Sequence, residues 1–489
     1  MTDRLPQNAQ DSAALAQLEQ LLGPKGFSTA QADLAPWLTD WRGRFTGQTL
    51  ALLSPATTED VSAIIHICAE FGLPVVPQGG NSGMVGGATP DTSGHSVLLS
   101  MRRMNAITAI SATDGLVRAQ AGVILQNLHE AVEAQGQRFP LTLGGKGSAT
   151  IGGLISTNAG GTQVLRHGTM RALVDGLEAV LPDGSVLNLM APLKKDNRGY
   201  DLRHLLIGAE GTLGVVTAAT LRTVPALISR AVVWAAVRGP QDAYRLLRFI
   251  ETHCGDRLEG FELVDNRGLS AVLRHIPGTR QPLAGEHAWH VLAEFVQDNA
   301  GQEAPDTLAT RIFADAMASG LIADAAISAN EAQAEAFWKL RDSIAEAERA
   351  DGPALQHDIS VPVADMARFV ETAASTVEAR FAGTQVVAFG HLGDGNVHFH
   401  VKAPAGVDAD QWYDAQSKPI SSFVYDLVGR FGGSISAEHG IGQMKREELL
   451  RLSDPARIAI LKAIKRAVDP RNILNPGKIV SLAEKGLDT

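Results

Sequence analysis

Two histidines and an acidic residue in the last quarter of the chain have a spacing that suits binding of a divalent metal ion. His391 and His398 flank an Asp-Gly pair within alternating apolar residues, which predicts two strands joined by a tight turn. A hairpin would bring both imidazoles together, and Glu438 would be the third metal ligand. Three protein ligands leave a coordination position open, which is typical of a catalytic rather than a structural metal site.

The residue after Glu438 is a second candidate for chemistry. His439 would lie beside whatever fills the open position and could act on it as a base. Two histidines and a carboxylate accept Zn²⁺, Mn²⁺ or Fe²⁺, and zinc is the ion that we expect. In the alternative interpretation the histidines only form hydrogen bonds within a hairpin, and the Glu438–His439 pair belongs to a polar loop.

Glycines are concentrated in four clusters in the first half of the chain. Glycine accounts for 49 of 489 residues, above the usual share of roughly 7%. Successive backbone amides in glycine-rich loops can surround an anionic group, and Ser, Thr and Asn side chains add donors. A glycine-rich set of β-turns is the alternative. The clusters contain Pro77, Gln78, Gly79, Gly80, Asn81, Ser82 and Gly83; Gly144, Gly147, Ser148, Gly152 and Gly153; Thr157, Asn158, Gly160 and Gly161; and Glu210, Gly211 and Gly214.

The clusters do not match the common single-loop nucleotide sites. The chain has no Gly-x-Gly-x-x-Gly motif after a predicted strand, and no Gly-x-x-x-x-Gly-Lys followed by Ser or Thr. A large phosphate-bearing cofactor bound by several separate loops fits the pattern better.

Composition narrows the class of protein. The net charge is −10, and the sequence has no long run of basic residues of the kind that binds nucleic acid. Cys68 and Cys254 are too few for a disulfide framework and suit a reducing compartment. No apolar run reaches the roughly 18 residues that span a membrane, and the N-terminus lacks a signal pattern. We therefore expect a cytoplasmic protein without an integral membrane segment.

Periodicity predicts an α+β fold in four parts. Leu50–Leu53 reads as a strand, and Val61, Ile64, Ile65 and Cys68 form the apolar stripe of a helix that starts near Thr57. Further helices are predicted at 241–252, 305–319 and 330–349, with a buried strand at Ala231–Val237. The predicted parts are an N-terminal helical segment at 1–45, a glycine-rich domain at 46–225, an α+β domain with an antiparallel sheet at 226–436, and a C-terminal segment at 437–489.

At these motifs the chain resembles the FAD-linked oxidases of the vanillyl-alcohol oxidase and PCMH type, and within them the D-2-hydroxyacid dehydrogenases. That subgroup includes D-2-hydroxyglutarate and D-lactate dehydrogenases. The resemblance runs from about residue 45 to 480, with the motifs in the family's order. The matching segments are 77–83, 144–161, 208–214, 390–398, 438–440 and 475–478.

The resemblance implies where FAD would bind. Residues 46–225 would form a PCMH-type FAD-binding domain of two α+β subdomains, followed by a substrate cap domain and a C-terminal segment that returns to the FAD domain. The loop from Gln78 to Gly83 would hold the pyrophosphate, and FAD would be bound without a covalent link. The ribityl chain, flavin and adenine would be lined by Gly152–Gly153, Asn158–Gly161, Glu210–Gly211 and Gly214 with Val215 and Val216, and Asn475 belongs to the same site.

The resemblance also implies a reaction. A metal on His391, His398 and Glu438 would chelate the carboxylate and hydroxyl of a D-2-hydroxy acid. His439 would remove the hydroxyl proton while the C2 hydride moves to flavin N5. Arg341 matches the family's substrate-carboxylate arginine, and its planar fork suits bidentate binding. An arginine on an apolar helix stripe could otherwise extend to solvent.

Two positions depart from the relatives that act on hydroxyglutarate. Those relatives bind the distal carboxylate with Thr or Ser and with Lys, where this chain has Ala345 and Gln356; His400 stands where some relatives have Asn. The departures favour a monocarboxylate such as D-lactate, or a larger apolar hydroxy acid.

Several functions stay open at this point. The electron acceptor could be an electron-transfer flavoprotein, a quinone or a cytochrome, and an oxidase that passes electrons to oxygen is the nearest alternative. A metal-dependent hydrolase would leave the glycine clusters unexplained, and a flavin-carrying electron-transfer subunit would have no substrate of its own. The oligomeric state is open, a homodimer included.

Overall fold

A computed structural model describes residues 9–482, which fold as two units with separate cores. The first unit comprises the residues up to Gly160, Thr169–Pro225 and the residues from Glu438 onward; the second comprises Gly161–Gly168 and Ala226–Ala437. The prediction of helix for the N-terminal segment lies, at residues 1–8, outside the described residues.

The chain between Ala9 and Pro225 alternates short helices and strands. A helix at Ala9–Gly26 bends at Gly23, whose φ is +60°, just before Pro24. The elements are α1 (Ala9–Gly26), β1 (Phe27–Ser28), α2 (Gln31–Leu34), β2 (Ala51–Leu53), α3 (Thr58–Phe71), β3 (Val75–Gln78), β4 (Val97–Ser100), β5 (Ile107–Ser111), β6 (Leu116–Gln120), α4 (Leu125–Glu133), β7 (Gln137–Arg138), α5 (Ile151–Thr157), α6 (Val164–His167), α7 (Met170–Leu173), β8 (Val174–Val180), β9 (Val186–Leu189), α8 (Leu202–Leu206), β10 (Val215–Arg222) and β11 (Val224–Pro225), with 3₁₀ turns at Ala35–Trp37 and Met101–Arg103.

Helix α3 forms as the sequence predicts. Thr57 caps its N-terminus by accepting a hydrogen bond from the amide of Asp60, whose carboxylate in turn accepts from the Thr57 amide. This reciprocal pair satisfies two amides that the first turn leaves without helical partners. The buried side chains of the helix are the four predicted ones, Val61, Ile64, Ile65 and Cys68.

Two sheets dominate the first unit. One has the order β1-β2-β4-β3, and its last three strands run parallel. The other is antiparallel, with the order β5-β6-β10-β8-β9. Glycine-rich loops follow β3, precede and follow α5, and precede β10. The cofactor motifs therefore lie in these loops and in the adjoining ends of β3, α5 and β10.

The second unit is built on one antiparallel sheet. Its seven strands have the order β15-β12-β14-β13-β17-β18-β16, with helices on the sheet faces. The elements are β12 (Ser229–Val237), α9 (Pro240–Cys254), β13 (Leu258–Asp265), α10 (Asn266–His275), β14 (Trp289–Gln297), α11 (Pro305–Ala318), β15 (Asp324–Ile327), α12 (Glu331–Asp342), α13 (Ile344–Ala350), β16 (Ala354–Ser360), α14 (Val363–Arg380), β17 (Gln385–His391), β18 (Asn396–Lys402) and α15 (Ala409–Arg430).

The helix predicted at 330–349 is two helices. It is interrupted at Ser343, where φ is −82° and ψ is −1°. Asp342 and Ser343 are weak helix formers because their side chains compete for backbone hydrogen bonds. Arg341 therefore lies in the last turn of α12, while Ala345 and Glu348 lie on α13.

The C-terminal segment packs into the first unit through two helices and a final loop. The helices are α16 (Arg446–Leu452) and α17 (Pro455–Val468). Beyond them, Leu474 forms a parallel bridge with Val75 of β3, the strand that pairs with β4 in the first sheet. Among the described residues, no helix combines the length and apolar character that a membrane crossing requires.

Candidate functional site

The predicted histidine hairpin is present in the second unit. β17 and β18 pair in antiparallel fashion, with Phe389 opposite His398 and Val387 opposite His400. Residues opposite each other in a ladder project from the same sheet face. The rings of His391 and His398 are 5.7 Å apart between centroids, so the hairpin brings the two proposed ligands together.

Four strands place polar side chains on this same face. Glu262 of β13 lies opposite His391, and on β16 Asp358 lies opposite His398 while Gln356 lies opposite His400. The carboxylate of Glu262 and the candidate ligands His391 and His398 thus project from the same face of the sheet. Apolar residues of α12 and α13 pack near it in a cluster that includes Trp338, Ile344, Val387 and Phe389.

Glu262 is bonded to both His391 and Arg341. Its Oε1 lies 2.5 Å from His391 Nδ1, and its Oε2 accepts from Arg341 Nε at 2.9 Å. A carboxylate only accepts, so Nδ1 of His391 carries a proton. The other ring nitrogen, Nε2, lies 3.3 Å from Arg341 Nη2, which can only donate. His391 is therefore held in the tautomer with the proton on Nδ1, and its Nε2 lone pair accepts from Arg341.

The charge of Glu262 is set by its two partners. The side chain is fully buried, which alone would raise the pKa of the carboxyl, but Arg341 and His391 hold that pKa at about 2. Glu262 is consequently ionised at neutral pH. It forms a buried ion pair with Arg341, whose guanidinium also lies 5.6 Å from the Phe389 ring centre.

His398 has a carboxylate neighbour of its own. Its Nδ1 is 4.0 Å from Oδ1 of Asp358, and the same Oδ1 accepts from the Asn396 side-chain amide at 2.8 Å. Burial, followed by the charge of Arg341, lowers the pKa of His398 well below its usual value. The ring is neutral at neutral pH, and neutral imidazole is the form that binds metals.

His400 forms a buried pair with Glu348. Its Nδ1 is hydrogen-bonded to Glu348 Oε2, while Oε1 of Glu348 has no hydrogen-bond partner. Ala345, one turn before Glu348, is half-buried. This part of the site therefore carries the acidic side chain of Glu348. The positions where relatives bind a distal carboxylate carry a methyl group, at Ala345, and an amide, at Gln356.

The hydrogen-bond partners of His391 and His398 are of the kind that metal-binding histidines have. Metal-binding histidines usually direct their second ring nitrogen to a carboxylate, which sets the tautomer and the ring orientation. His391 has this arrangement with Glu262, and His398 has Asp358 at a longer distance. Glu438 and His439 are half-buried and belong to the first unit, and their roles stay predictions.

In the first unit the four glycine clusters converge although they are far apart in sequence. A Cβ atom on Gly80 would lie 1.7 Å from the Ser148 carbonyl oxygen, so the first and second clusters touch through their backbones. A Cβ on Gly211 would lie 3.1 Å from Pro77, which joins the fourth cluster to the first. The third joins the fourth through the Glu210 amide, which donates to the carbonyl of Ser156 at 2.8 Å.

The convergent loops fit a large phosphate-bearing cofactor such as FAD. Gly83, Gly144 and Gly147 have open space where a side chain would be, so their backbones are accessible to a ligand. The Thr150 hydroxyl, between the first two clusters, is buried and has no hydrogen-bond partner. An orphaned buried hydroxyl is costly unless a further group satisfies it.

Several predicted cofactor residues use their side chains inside the protein. The amide of Gln78 bonds to the carbonyls of Trp37 and Ala88, and Asn81 bonds to that of Thr39. Asn158 ends α5 with φ +51° and accepts from Thr169 and Arg171, while the Thr157 hydroxyl bonds within its own helix. Val215 and Val216 are buried in the core. Contacts of these residues with a cofactor would be made by their backbones.

Glu262 is the functional candidate that sequence reasoning missed. It lies in β13, in which every residue is buried. The available signal was the presence of three carboxylates, those of Glu259, Glu262 and Asp265, in a strand whose other residues are apolar. Nothing local identified His391, 129 residues away, as the partner.

Comparisons with protein families cover most of the chain. A family described as "FAD binding domain" matches residues 49–190, and one described as "FAD linked oxidases, C-terminal domain" matches residues 228–479. The two matches contain the first three glycine clusters and His391, His398, Glu438 and His439. The fourth cluster, with Glu210, Gly211 and Gly214, lies between the matched ranges.

Curated relatives are similar over nearly the whole length. The chain is 35% identical over 472 residues to D-2-hydroxyglutarate dehydrogenase, mitochondrial, of Arabidopsis thaliana, which covers 96% of this chain and 82% of that protein. It is 37% identical to D-2-hydroxyglutarate dehydrogenase of Xanthomonas citri pv. viticola, covering 95% and 96%. It is 34% identical to the putative D-lactate dehydrogenase C713.03, mitochondrial, of Schizosaccharomyces pombe, covering 93% and 86%.

Solved structures share the fold at low sequence identity. P-cresol methylhydroxylase with bound substrate superposes with a TM-score of 0.73 at 15% identity, covering 98% of each chain. An alkyldihydroxyacetonephosphate synthase also superposes with a TM-score of 0.73 at 15% identity, covering 97% of this chain and 87% of that one.

Proposed function

The chain belongs to the family of FAD-linked oxidases and is an FAD-dependent oxidoreductase that oxidises a D-2-hydroxy acid, and from this premise we propose how its residues act and which substrates it prefers. The predicted α+β fold with a PCMH-type FAD domain is that of this family. The cytoplasmic location stays a prediction, because the relatives from Arabidopsis and cattle are named as mitochondrial.

The observation that carries the proposal is the buried set of His391, Glu262 and Arg341. One carboxylate accepts from Nδ1 of an imidazole, whose other nitrogen faces Arg341, and from the planar guanidinium of Arg341 itself. A nitrogen ligand beside a cation suits a substrate that has a metal-binding hydroxyl next to a carboxylate. A 2-hydroxy acid has these groups on adjacent carbons.

His391, His398 and Glu438 would hold a divalent metal, with zinc as the expected ion. When bound, the metal supplies Lewis acidity that favours ionisation of the substrate hydroxyl. Glu262 keeps His391 in the tautomer with the proton on Nδ1, so Nε2 would bind the metal in place of its contact with Arg341. Asp358 stands beside Nδ1 of His398. These two carboxylates orient the rings, in keeping with the outer partners of other metal-binding histidines.

The redox cofactor is FAD, bound without a covalent link by the convergent loops of the first unit. When bound, FAD would supply the acceptor for the hydride, two electrons with a proton, that leaves C2 of the substrate. His439 takes the hydroxyl proton on a ring nitrogen, so the alcohol becomes a carbonyl and the product is a 2-oxo acid. Arg341 binds the substrate carboxylate and so orients C2. Oxygen as the final acceptor, in place of a carrier protein, quinone or cytochrome, is the alternative.

The reaction class is tested by flavin absorbance under anaerobic conditions. Purified protein is mixed with D- and L-isomers of 2-hydroxy acids, before and after treatment with a chelator and again after zinc is restored. We expect D-isomers to bleach the flavin, chelation to stop the bleaching and zinc to restore it. A yellow protein that none of these acids bleaches would contradict the chemistry and leave the fold and cofactor intact.

The second part of the proposal is a substrate with one carboxylate. Ala345 and Gln356 cannot neutralise a second charge, and the nearby acidic group of Glu348 would repel it. A hydrogen bond to a charged group typically contributes about 1.5–3 kcal/mol. We therefore expect kcat/KM for D-lactate to exceed that for D-2-hydroxyglutarate by about 10–100-fold.

Substitution of Gln356 tests this preference within one protein. Gln356→Lys is expected to raise kcat/KM for D-2-hydroxyglutarate and to leave that for D-lactate nearly unchanged. Gln356→Met, which has a similar length and no charge, is the matched control and should not help the diacid. A wild-type protein that strongly prefers D-2-hydroxyglutarate would refute the monocarboxylate assignment.

A further inference from the structure

We propose that Glu210 is a positioning residue that holds the backbone segment bearing Glu438 and His439. Its Oε1 accepts a hydrogen bond from the Ile441 amide at 2.7 Å, and its Oε2 accepts from the Gly442 amide at 2.8 Å. The two amides follow His439 by two and three residues. The inference rests on the proposed function, because the roles of Glu438 and His439 come from there.

The carboxylate is enclosed by glycines on both sides. A Cβ atom on Gly440 would lie 2.8 Å from Oε1 of Glu210, and one on Gly87 would lie 3.2 Å from Oε2. Gly440 and Gly442 have φ values of +81° and +51°, which side chains rarely adopt. The segment thus turns tightly around the carboxylate, and a small displacement of either partner would move the other.

The backbone of Glu210 supports a role beyond packing. Glu210 has φ +50°, in the left-handed region that disfavours residues with a Cβ. Glycine would adopt this conformation more easily, and it stands at Gly208 and Gly211 nearby. The side-chain amide of Asn475 donates to the carbonyl of Glu210 at 2.7 Å and to that of Gly87 at 2.9 Å, which holds this conformation in place. Strained positions that are fixed from outside are concentrated at functional sites.

Burying a charged carboxylate at this position costs free energy. Glu210 is only 8% exposed, and burial raises the pKa of its carboxyl, against the opposing influence of the two amides, Lys445 and Lys478. A neutral side chain would fill the same volume without the cost of burying a charge. It would not supply two acceptor oxygens to consecutive amides, and this geometry is what the carboxylate adds.

This assignment changes how Glu210 would serve the cofactor site. The family resemblance suggests that Glu210 lines the flavin, but both of its side-chain oxygens accept from the C-terminal segment. Its effect on catalysis would pass through Glu438 and His439. Its backbone amide, which donates to the carbonyl of Ser156, contacts the third glycine cluster.

The test compares Glu210→Gln with a matched variant, Asp469→Asn. Gln has one acceptor oxygen, so one of the two amides would face an NH₂ group. Asp469 is also a buried carboxylate that accepts from two consecutive amides, those of Ile473 and Leu474, in the same C-terminal segment. Asp469→Asn also weakens a buried ion pair with Lys465 Nζ, at 2.5 Å, so it is the more disruptive of the two substitutions. Only the Glu210 anchor adjoins His439.

Three measurements separate positioning from general destabilisation. For Glu210→Gln we expect faster hydrogen exchange at residues 440–442, zinc affinity lowered about 10–100-fold in chelator competition, and a similar fall in kcat for D-lactate with KM and FAD content little changed. Asp469→Asn should lower the melting temperature without these effects. Equal zinc affinity and kcat in Glu210→Gln and wild type would overturn the proposal.

A second variant keeps the test informative if Glu210→Gln folds poorly. Gly87→Ala leaves every charged group in place and crowds Oε2 from the opposite side, so smaller changes in the same direction are expected. Unchanged exchange at 440–442 in both variants would rule out the anchor. A wild-type protein that no D-2-hydroxy acid reduces would instead overturn the proposed function, and the exchange measurement would still decide whether Glu210 holds the segment.

Discussion

Replacing His439 with Asn is expected to lower kcat/KM for D-lactate by about 10²–10⁴-fold, the usual contribution of a general base. Asn has a similar size and can still form a hydrogen bond, but it cannot accept the hydroxyl proton. Steady-state kinetics with an artificial electron acceptor would measure the loss. FAD content and zinc content should match those of wild type, since His439 is assigned to neither.

The substrate isotope effect separates loss of the base from loss of binding. With D-lactate deuterated at C2, the variant should show an isotope effect at least as large as that of wild type, because the chemical step becomes slower. Gln443→Met offers a control in the same segment, since Gln443 bonds to the carbonyls of Gly86 and Thr89. Wild-type turnover in the His439 variant would remove His439 from the mechanism.

Replacing Glu262 with Gln is expected to damage both stability and metal affinity. An amide has one acceptor oxygen, so it cannot serve Arg341 and His391 together, and the buried guanidinium loses its counter-charge. Removing one partner of a buried ion pair typically costs about 3–5 kcal/mol, and losing the outer partner of a metal-binding histidine lowers affinity about 10–100-fold. Thermal unfolding and chelator competition would measure the two effects.

Glu259→Gln is the matched control for Glu262→Gln. Glu259 is a buried carboxylate of the same strand, and it pairs with Arg166 at 3.3 Å. Both substitutions break a buried ion pair, so both should lower the melting temperature. Only Glu262→Gln should weaken zinc binding, and equal losses of zinc in the two variants would mean that Glu262 acts through general stability.

Local patterns predicted much of the fold because their causes are local. The stripe of α3 follows from a period of 3.6 residues, and the hairpin at His391 follows from alternation around an Asp-Gly turn. The break at Ser343 was missed, since no glycine or proline marks it. An interruption of one residue depends on packing that periodicity does not record.

The candidate site was predictable in its residue types and not in its connections. Spacing identified His391 and His398, whose hairpin is short. The partners of Glu262 and Glu210 could not be read from the chain, because Glu262 is 129 residues from His391 and Glu210 is 231 residues from Ile441. Such contacts are set by strand order and by the return of the C-terminal segment, which are properties of the whole fold.

The sharing of Glu262 between His391 and Arg341 has a thermodynamic consequence. A metal on His391 and a substrate carboxylate on Arg341 would both change the demands on one carboxylate, so the two binding equilibria would be linked. Linkage is reciprocal: the factor by which metal changes substrate affinity equals the factor by which substrate changes metal affinity. The apparent KM would then depend on the free zinc concentration, and the zinc concentration for half-maximal turnover would depend on the substrate concentration.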